Sequence, residues 1–561
     1  MSSQLIVSSI VDFVIYHLTL YVTCVINEVI WGIWDQHIFA NDLKNSSCND
    51  DKDTSLWNKY HASSRLIIRM YEELFEFMLA IHKLHQTADN PGESSASDDA
   101  RAAGHDSRDE GEDDKWTDLP DVILENIFTR LSYKDRHHAS QVCSRWNAAF
   151  YAPKVWETFT LYSGTLTRQV FKTGDVNQKE LSARKAQLCL GRVGYLIKNM
   201  TITAIDNFFD VYEFIRILIQ FILHYDEFPL PLLHTFDFTF ACEFRGLSGV
   251  IIHGTGGKIL EILKTLLRNL QNLKHLKLRQ LLLDTEEVSG LFDAVANNLE
   301  YTLESMEILN CTKIPFPVFE LCRFSSLSQL TITTQHLNDD IVLELGLNGL
   351  SRLVIVQDRY TAVAQPVSRE CWGHLKEVAP LLKVTLELRG PAKHDLLIQP
   401  RAPVDTIIVS SPYSKMSPAV ADSIVTNYQD TLEAVLQKSL PRIHGSRSFH
   451  DRNDVCFLDF VRRCSKLHTL AIRERISTAT VLLLAKGGKS LKSLMLRENA
   501  LLKKCDWPKS PEWSDQFYQW LKKSSTSFEL TNREVSNIFG YEWKPLKDRE
   551  FKQNYWWHDV N

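Results

Sequence analysis

At 561 residues the chain is too long for one ordinary hydrophobic core, so it must form several units or an extended repeat array. Its 44% hydrophobic and 24% charged residues are a globular composition, and a formal net charge of -6 excludes any global electrostatic pull toward nucleic acid or an anionic membrane. The 11 cysteines are odd in number and include no Cys-x-x-Cys pair, which points to a reduced compartment, cytoplasmic or nuclear, rather than to a disulfide framework.

In chain order, Leu5 to Trp34 is rich in Ile, Val, Leu and Tyr. Asp12 and Glu28 bracket a charge-free stretch from Phe13 to Asn27, shorter than the roughly 18 apolar residues a membrane span needs. No Lys or Arg precedes it. The expectation is a packed helix or strand, or an extension outside the working protein, in preference to a membrane anchor. From Arg65 to Leu84, Ile67, Met70, Tyr71, Leu74, Phe75, Met78 and Ile81 recur at helical spacing and predict an amphipathic helix. Residues 1–85 are thus read as an N-terminal helical and apolar segment. Residues 86–115 turn abruptly to Asp, Glu, Ser, Ala and Gly and predict a disordered acidic linker, with the run Asp109 to Asp114 solvated.

After the linker, Leu119-Pro120 opens a helix whose Ile123, Leu124, Ile127, Phe128 and Leu131 form one apolar stripe. Ser132 and Asp135 form a capping-box-like start to a second helix. Val142, Cys143, Trp146 and Asn147 lie on a third, which runs on to Phe150-Tyr151 and is expected to stop at Pro153, ahead of Val155-Trp156. This stretch resembles the F-box family at Leu119-Pro120, Ile123, Leu124, Ile127-Phe128, Leu131, Asp135, Val142-Cys143, Trp146-Asn147 and Trp156.

The resemblance implies docking to a Skp-type adaptor, itself held by a cullin scaffold with a RING subunit. It places Leu119, Pro120, Leu124, Ile127, Phe128 and Val142 in the adaptor interface, with Trp146 supporting it, and counts Ile123, Leu131 and Cys143 among the adaptor-binding residues. The alternative is that the same residues are only the core of a three-helix domain. Both can hold, because so small a domain cannot turn its whole apolar stripe inward.

Beyond residue 160 a hexad recurs in which positions one, four and six are apolar. It is clearest at Leu273–Leu278, Leu327–Ile332, Leu467–Ile472 and Leu491–Leu496, less so at Leu303–Ile308, Leu350–Ile355 and Leu381–Leu386, and weakest at 197–202, 233–238 and 404–409. This is the strand pattern of a leucine-rich repeat. Cys311 and Asn499 stand at the ninth position of their repeats, where a side chain would bond loop backbone inside the turn. Helical stretches such as Ile259 to Leu270 and Val288 to Leu299 fill the intervals. Between Ser410 and Cys464 the pattern lapses, through either a degenerate repeat or an inserted loop. Past Asn499, Trp507, Trp513, Phe517, Trp520, Trp543 and Tyr555-Trp556-Trp557 suggest a cap on the last repeat, or a partner platform.

No catalytic signature stands out. His253 to Lys258 has the glycines of a phosphate loop with the wrong spacing, and Ile259 stands where Ser or Thr would hold magnesium, so a loop before a helix is expected. His137-His138 are adjacent on a helix and point apart, which disfavours a shared metal. No cofactor is implied.

The expected fold is α/β. A three-helix F-box at 116–160 precedes an irregular solenoid at 161–505 with parallel strands inside and helices outside, and an aromatic cap or tail occupies 506–561. The expected function is a non-catalytic substrate receptor of a Skp–cullin–F-box ubiquitin ligase, with a non-degradative repeat scaffold as the alternative.

Overall fold

The computed structural model describes residues 119–172, 175–224, 230–246, 249–392, 394–442 and 445–553. The N-terminal segment, the acidic linker, Trp116 and the terminal Tyr555-Trp556-Trp557 lie outside these residues.

Four short helices come first: α1 (Asp121–Arg130), α2 (Tyr133–Ala139), α3 (Ser144–Phe150) and α4 (Pro153–Trp156). Pro153 does end α3, and it also sits in the first turn of α4. Its missing N–H and preset φ suit that position, so the proline that stops one helix starts the next.

A single parallel sheet follows, with strands at Thr158–Leu161, Asn199–Ile202, Thr235–Thr239, His275–Arg279, Ser305–Leu309, Gln329–Thr333, Arg352–Gln357, Lys383–Leu388, Val404–Val409, Ala434–Gln437, Thr469–Ile472 and Ser493–Leu496, paired in chain order. Strict sequence order with one helix or turn per interval is the signature of a solenoid. Every hexad read from the sequence contributes a strand. Their apolar positions fall into register, Phe236 beside Leu276, Met306, Leu330, Leu353 and Val384 on successive strands. Each of these side chains is buried, and each contributes roughly 1.5–3 kcal/mol by leaving water.

Two strands of this sheet go beyond those expected, besides the antiparallel hairpins Thr167–Lys172 with Asp175–Leu181 and Glu243–Gly246 with Gly249–Ile252 and the short parallel pair Ile476–Ser477 with Leu501–Leu502. Thr158–Leu161 belongs to the hexad Trp156-Glu-Thr-Phe159-Thr-Leu161, in which a tryptophan replaces the first leucine; the expected boundary at 160 falls inside it. Ala434–Gln437 belongs to Leu432-Glu-Ala-Val435-Leu-Gln437, where buried Gln437 stands at an apolar position. The polar side chain is tolerated because its Nε2 donates to Glu474 Oε1 (3.0 Å) and its Oε1 accepts from Arg473 N (3.1 Å). The lapse after Ser410 is therefore a degenerate repeat, with its helix at Pro418–Tyr428, followed by a long turn.

Turn interiors use polar side chains to replace missing backbone partners. Gln335, at the ninth position counted from Leu327, donates to Thr312 O (2.7 Å), and Asp358, at the ninth position counted from Leu350, accepts from Asn310 Nδ2 (2.8 Å). Cys311 is fully buried, and its N–H donates to His336 Nε2 at 3.0 Å. Asn499 departs from expectation: it is exposed, and its side chain bonds Asp548 rather than the turn's interior.

At the far end the last strand is closed by the chain that follows it. Trp543 is 4% exposed and donates Nε1–H to Leu494 O at 2.7 Å. Leu546 N donates to Leu496 O (2.8 Å) and Leu546 O accepts from Glu498 N (2.9 Å), so the open edge is satisfied. Among the described residues no helix is long and apolar enough to cross a membrane.

Candidate protein-docking site

Pro120 precedes the first residue of α1, Asp121 favours its positive end and Arg130 its negative end. The apolar stripe of α1 divides in two. Leu124 and Phe128 are 0% exposed and face the core, whereas Ile123 is 45% exposed and Val122 62%. Ser132 Oγ accepts from Asp135 N (3.3 Å) and starts α2; Cys143 Sγ accepts from Trp146 N (3.5 Å) and starts α3. Val142, in the turn between them, is 48% exposed. Trp146 is half-buried with its ring edge-on to Phe128 at 6.0 Å between centroids. Arg145 Nε donates to Asp121 Oδ1 (3.1 Å), tying α3 to the start of α1.

The residues expected at an interface thus sort by position. Pro120, Ile123 and Val142 are exposed; Leu119, Ile127, Leu131, Cys143 and Trp146 are half-buried; Leu124 and Phe128 are internal. Leu124 and Phe128, expected in the interface, are enclosed by the head's own residues in this structure. Val122 joins the exposed set, unmarked by the sequence reading.

The residue that organises these helices also escaped that reading. Arg136 is 6% exposed, and its guanidinium donates to Phe128 O (2.8 Å), Leu131 O (3.1 Å), Val155 O (2.7 Å) and Thr129 O (2.9 Å). It lies 5.1 Å from the ring centres of both Tyr133 and Trp156. A single cation therefore caps the carbonyls at the end of α1, pins α4 and packs against two aromatic rings.

The helices are also continuous with the sheet. Tyr133 stacks on Trp156 (5.6 Å) and on Phe159 of the first strand (5.3 Å), and Phe159 stacks on Phe214 (5.8 Å). The Tyr133 hydroxyl accepts from Thr160 N at 2.6 Å.

The F-box-like family matches residues 116–162. The chain carries an F-box-like domain ahead of a leucine-rich-repeat arm. The chain is 29% identical over 89 residues to F-box/LRR-repeat protein 21 of Mus musculus, covering 16% of this chain and 20% of that one. It is 43% identical over 44 residues to F-box/LRR-repeat protein 21 of Bos taurus, covering 8% of this chain and 10% of that one. The match therefore spans a fifth or less of these relatives' length.

Beyond the F-box, the sheet face turned away from the helices carries its own chemistry. Arg279 bridges Asp237 (2.7 Å) and Glu307 (2.9 Å), and Arg389 reaches Glu307 (3.2 Å) and Glu387 (2.8 Å), forming a charged strut across several repeats. Burial would raise the Glu307 carboxyl, and the two guanidiniums more than reverse this, holding it below its ordinary range. Toward the C-terminus the same face becomes apolar at Ile408, Leu436, Ala471 and Met495, and Leu546 packs against it.

The glycine-rich loop at His253 to Lys258 lies immediately before the helix Gly257–Asn269 and overlaps its first turn. A Cβ on Gly254 would meet Leu282 O at 2.2 Å, so the glycine serves the packing of adjacent turns. The His137 and His138 rings stand 6.3 Å apart, and among the described residues no group of His, Cys, Asp and Glu could hold a metal.

Proposed function

We propose that the chain is the substrate-receptor subunit of a Skp–cullin–F-box ubiquitin ligase, docking a Skp-type adaptor through the exposed part of the F-box and holding a protein substrate on the repeat arm. The observation that carries the reading is an apolar surface left open on an otherwise well-packed head: Ile123 is 45% exposed and Val142 48%, while Leu124 and Phe128 behind them are buried. A head this small leaves these aliphatic side chains in water until a partner covers them, and covering their exposed half gains about 1 kcal/mol for each. The arm then acts by proximity, raising the effective concentration of its substrate near a charged conjugating enzyme. The bond-making groups belong to the partners.

The test is binary association of the purified full chain with Skp-family adaptors. Wild type should bind, and Ile123→Asp with Val142→Asp should weaken binding on the order of 100-fold, since each carboxylate would be left unpaired in an apolar contact. The repeat arm should unfold at the wild-type midpoint. Failure of wild type to associate with any Skp-family adaptor would sink the proposal. Depletion of the protein in cells then separates receptor from scaffold, because only loss of a receptor lengthens the half-life of what it binds.

A further inference from the structure

Three consecutive turns leave the sheet after Val404–Val409, Ala434–Gln437 and Thr469–Ile472, and side-chain bonds tie them into one rim. Arg473, 1% exposed, donates from Nη1 to Lys438 O (2.7 Å) and from Nη2 to Ser414 O (2.5 Å). Arg475 Nη1 reaches Gly445 O at 2.6 Å, Lys415 Nζ reaches Asp451 O at 2.6 Å, and Arg442 N donates to Pro412 O at 3.0 Å. All of these bonds end on carbonyl oxygens. They tie the turns together and fix the side chains of Lys415, Arg473 and Arg475 without neutralising them.

The charge along this rim is one-sided. Segments 410–417 and 438–450 contain Lys415, Lys438, Arg442 and Arg447 and no Asp or Glu. Lys415, Arg442 and Arg447 are exposed, and Arg442 lies over the half-exposed Tyr413 ring at 5.4 Å. Two acids border the rim: Asp451, exposed at the end of the second segment, accepts from Ser446 Oγ (3.0 Å), and Glu474, its carboxyl raised by burial, accepts from Asn453 Nδ2 (2.7 Å) and Gln437 Nε2 (3.0 Å). Beneath the rim, buried Arg473 has an Nε with no hydrogen-bond partner. Burial lowers Arg473 to about 10 and Lys438 to about 8, and the charges of Glu474 and Glu387 offset this only in part.

We infer that this rim binds an acidic peptide segment of the protein held by the arm, its carboxylate or phosphate groups pairing with Lys415, Arg442 and Arg447. Lys415, held by its carbonyl bond, and Arg442, laid over the Tyr413 ring, lose little freedom on pairing. The inference rests on the arm being the substrate-holding part of the molecule.

The test uses the full chain and a fluorescein-labelled Glu/Asp-rich peptide, with a phosphoserine peptide of equal length as a second arm and a neutral peptide as reference, read by anisotropy. At low salt at least one anionic peptide should bind, and binding should weaken steeply as ionic strength rises. Which anionic arm binds tighter identifies the anion. Arg442→Glu with Arg447→Glu should cost at least tenfold. Arg184→Glu with Arg192→Glu, on the exposed side of the helix Ala183–Val193, should cost nothing. Absence of binding at low salt, equal loss in both double variants, or equal capture of a uridylate oligonucleotide would overturn the inference. Adaptor binding by the Arg442/Arg447 variant, measured on the same preparation, should match wild type, so that failure of the rim is told apart from failure of the ligase reading.

Discussion

Replacing Arg136 with Ala should loosen the F-box while leaving the repeats folded. The guanidinium makes four hydrogen bonds to carbonyls of Phe128, Thr129, Leu131 and Val155. Bonds to a charged donor contribute about 1.5–3 kcal/mol each, a gross loss of about 6–12 kcal/mol if all four are removed. Most of that is offset, because water can reach some of the freed carbonyls and the cost of burying a guanidinium disappears with it. A net loss of about 3–5 kcal/mol remains, in the range found when one partner of a buried charged network is deleted. At 1.36 kcal/mol per decade, a loss near 4 kcal/mol raises the open population of the head about 1000-fold. Hydrogen exchange followed by mass spectrometry should show that loss of protection in peptides covering 121–156, with little change across 275–333. Arg136→Lys should recover only part of it, since an ammonium cannot reproduce the planar fork. Unchanged protection in Arg136→Ala would refute the claim that this side chain holds α1, α2 and α4 together.

Phe128→Ala should cost about 3–5 kcal/mol of F-box stability and lose adaptor binding only as the head unfolds, in contrast to the exposed-site variants, which keep the fold; near-ultraviolet dichroism alongside the binding assay separates the two. His336 is buried, its Nε2 accepts from Cys311 N (3.0 Å), and burial lowers its pKa to about 4 from an ordinary 6.5. Between those values the unfolded chain binds a proton that the folded one does not, so stability should fall as pH drops from about 6.5 toward 4, by about 3 kcal/mol in all, and level off below. Urea midpoints at pH 7 and 5 should show this loss, and His336→Gln should reduce it; an unaltered slope would assign the acid sensitivity elsewhere. Trp543→Ala removes a ring that is 4% exposed and its bond to Leu494 O, so it should cost about 3–5 kcal/mol locally and expose the last strand. Light scattering on mild warming should rise relative to wild type, and a variant as dispersed as wild type would show that the edge is protected by other means.

The repeats were legible because a strand inside a solenoid needs apolar side chains at fixed positions, and Leu276, Leu330 and Leu470 announce themselves. Two repeats were not. Trp156 had already been assigned to the F-box, which hid its second role at the head of the first hexad, and Gln437 breaks the apolar pattern with a side chain whose partners, Glu474 and Arg473, are more than thirty residues away in sequence. The docking site was legible as a stripe but not as a surface. Helical spacing groups Ile123, Leu124 and Phe128 on one side of α1, and only the placement of α3 and α4 decides that the first faces water and the others do not. Arg136 was invisible for a further reason: its partners are backbone carbonyls, which every residue has and no sequence pattern marks.

The stacked rings of Trp156, Tyr133, Phe159 and Phe214 leave no elbow between head and arm. A guest gripped at the far turns would therefore be carried on a stiff strut, at a set distance and rotational phase from whatever clasps Ile123. Which of its lysines come within reach of a neighbouring enzyme would then be decided by the length of that strut, and an insertion of even one repeat would shift the choice.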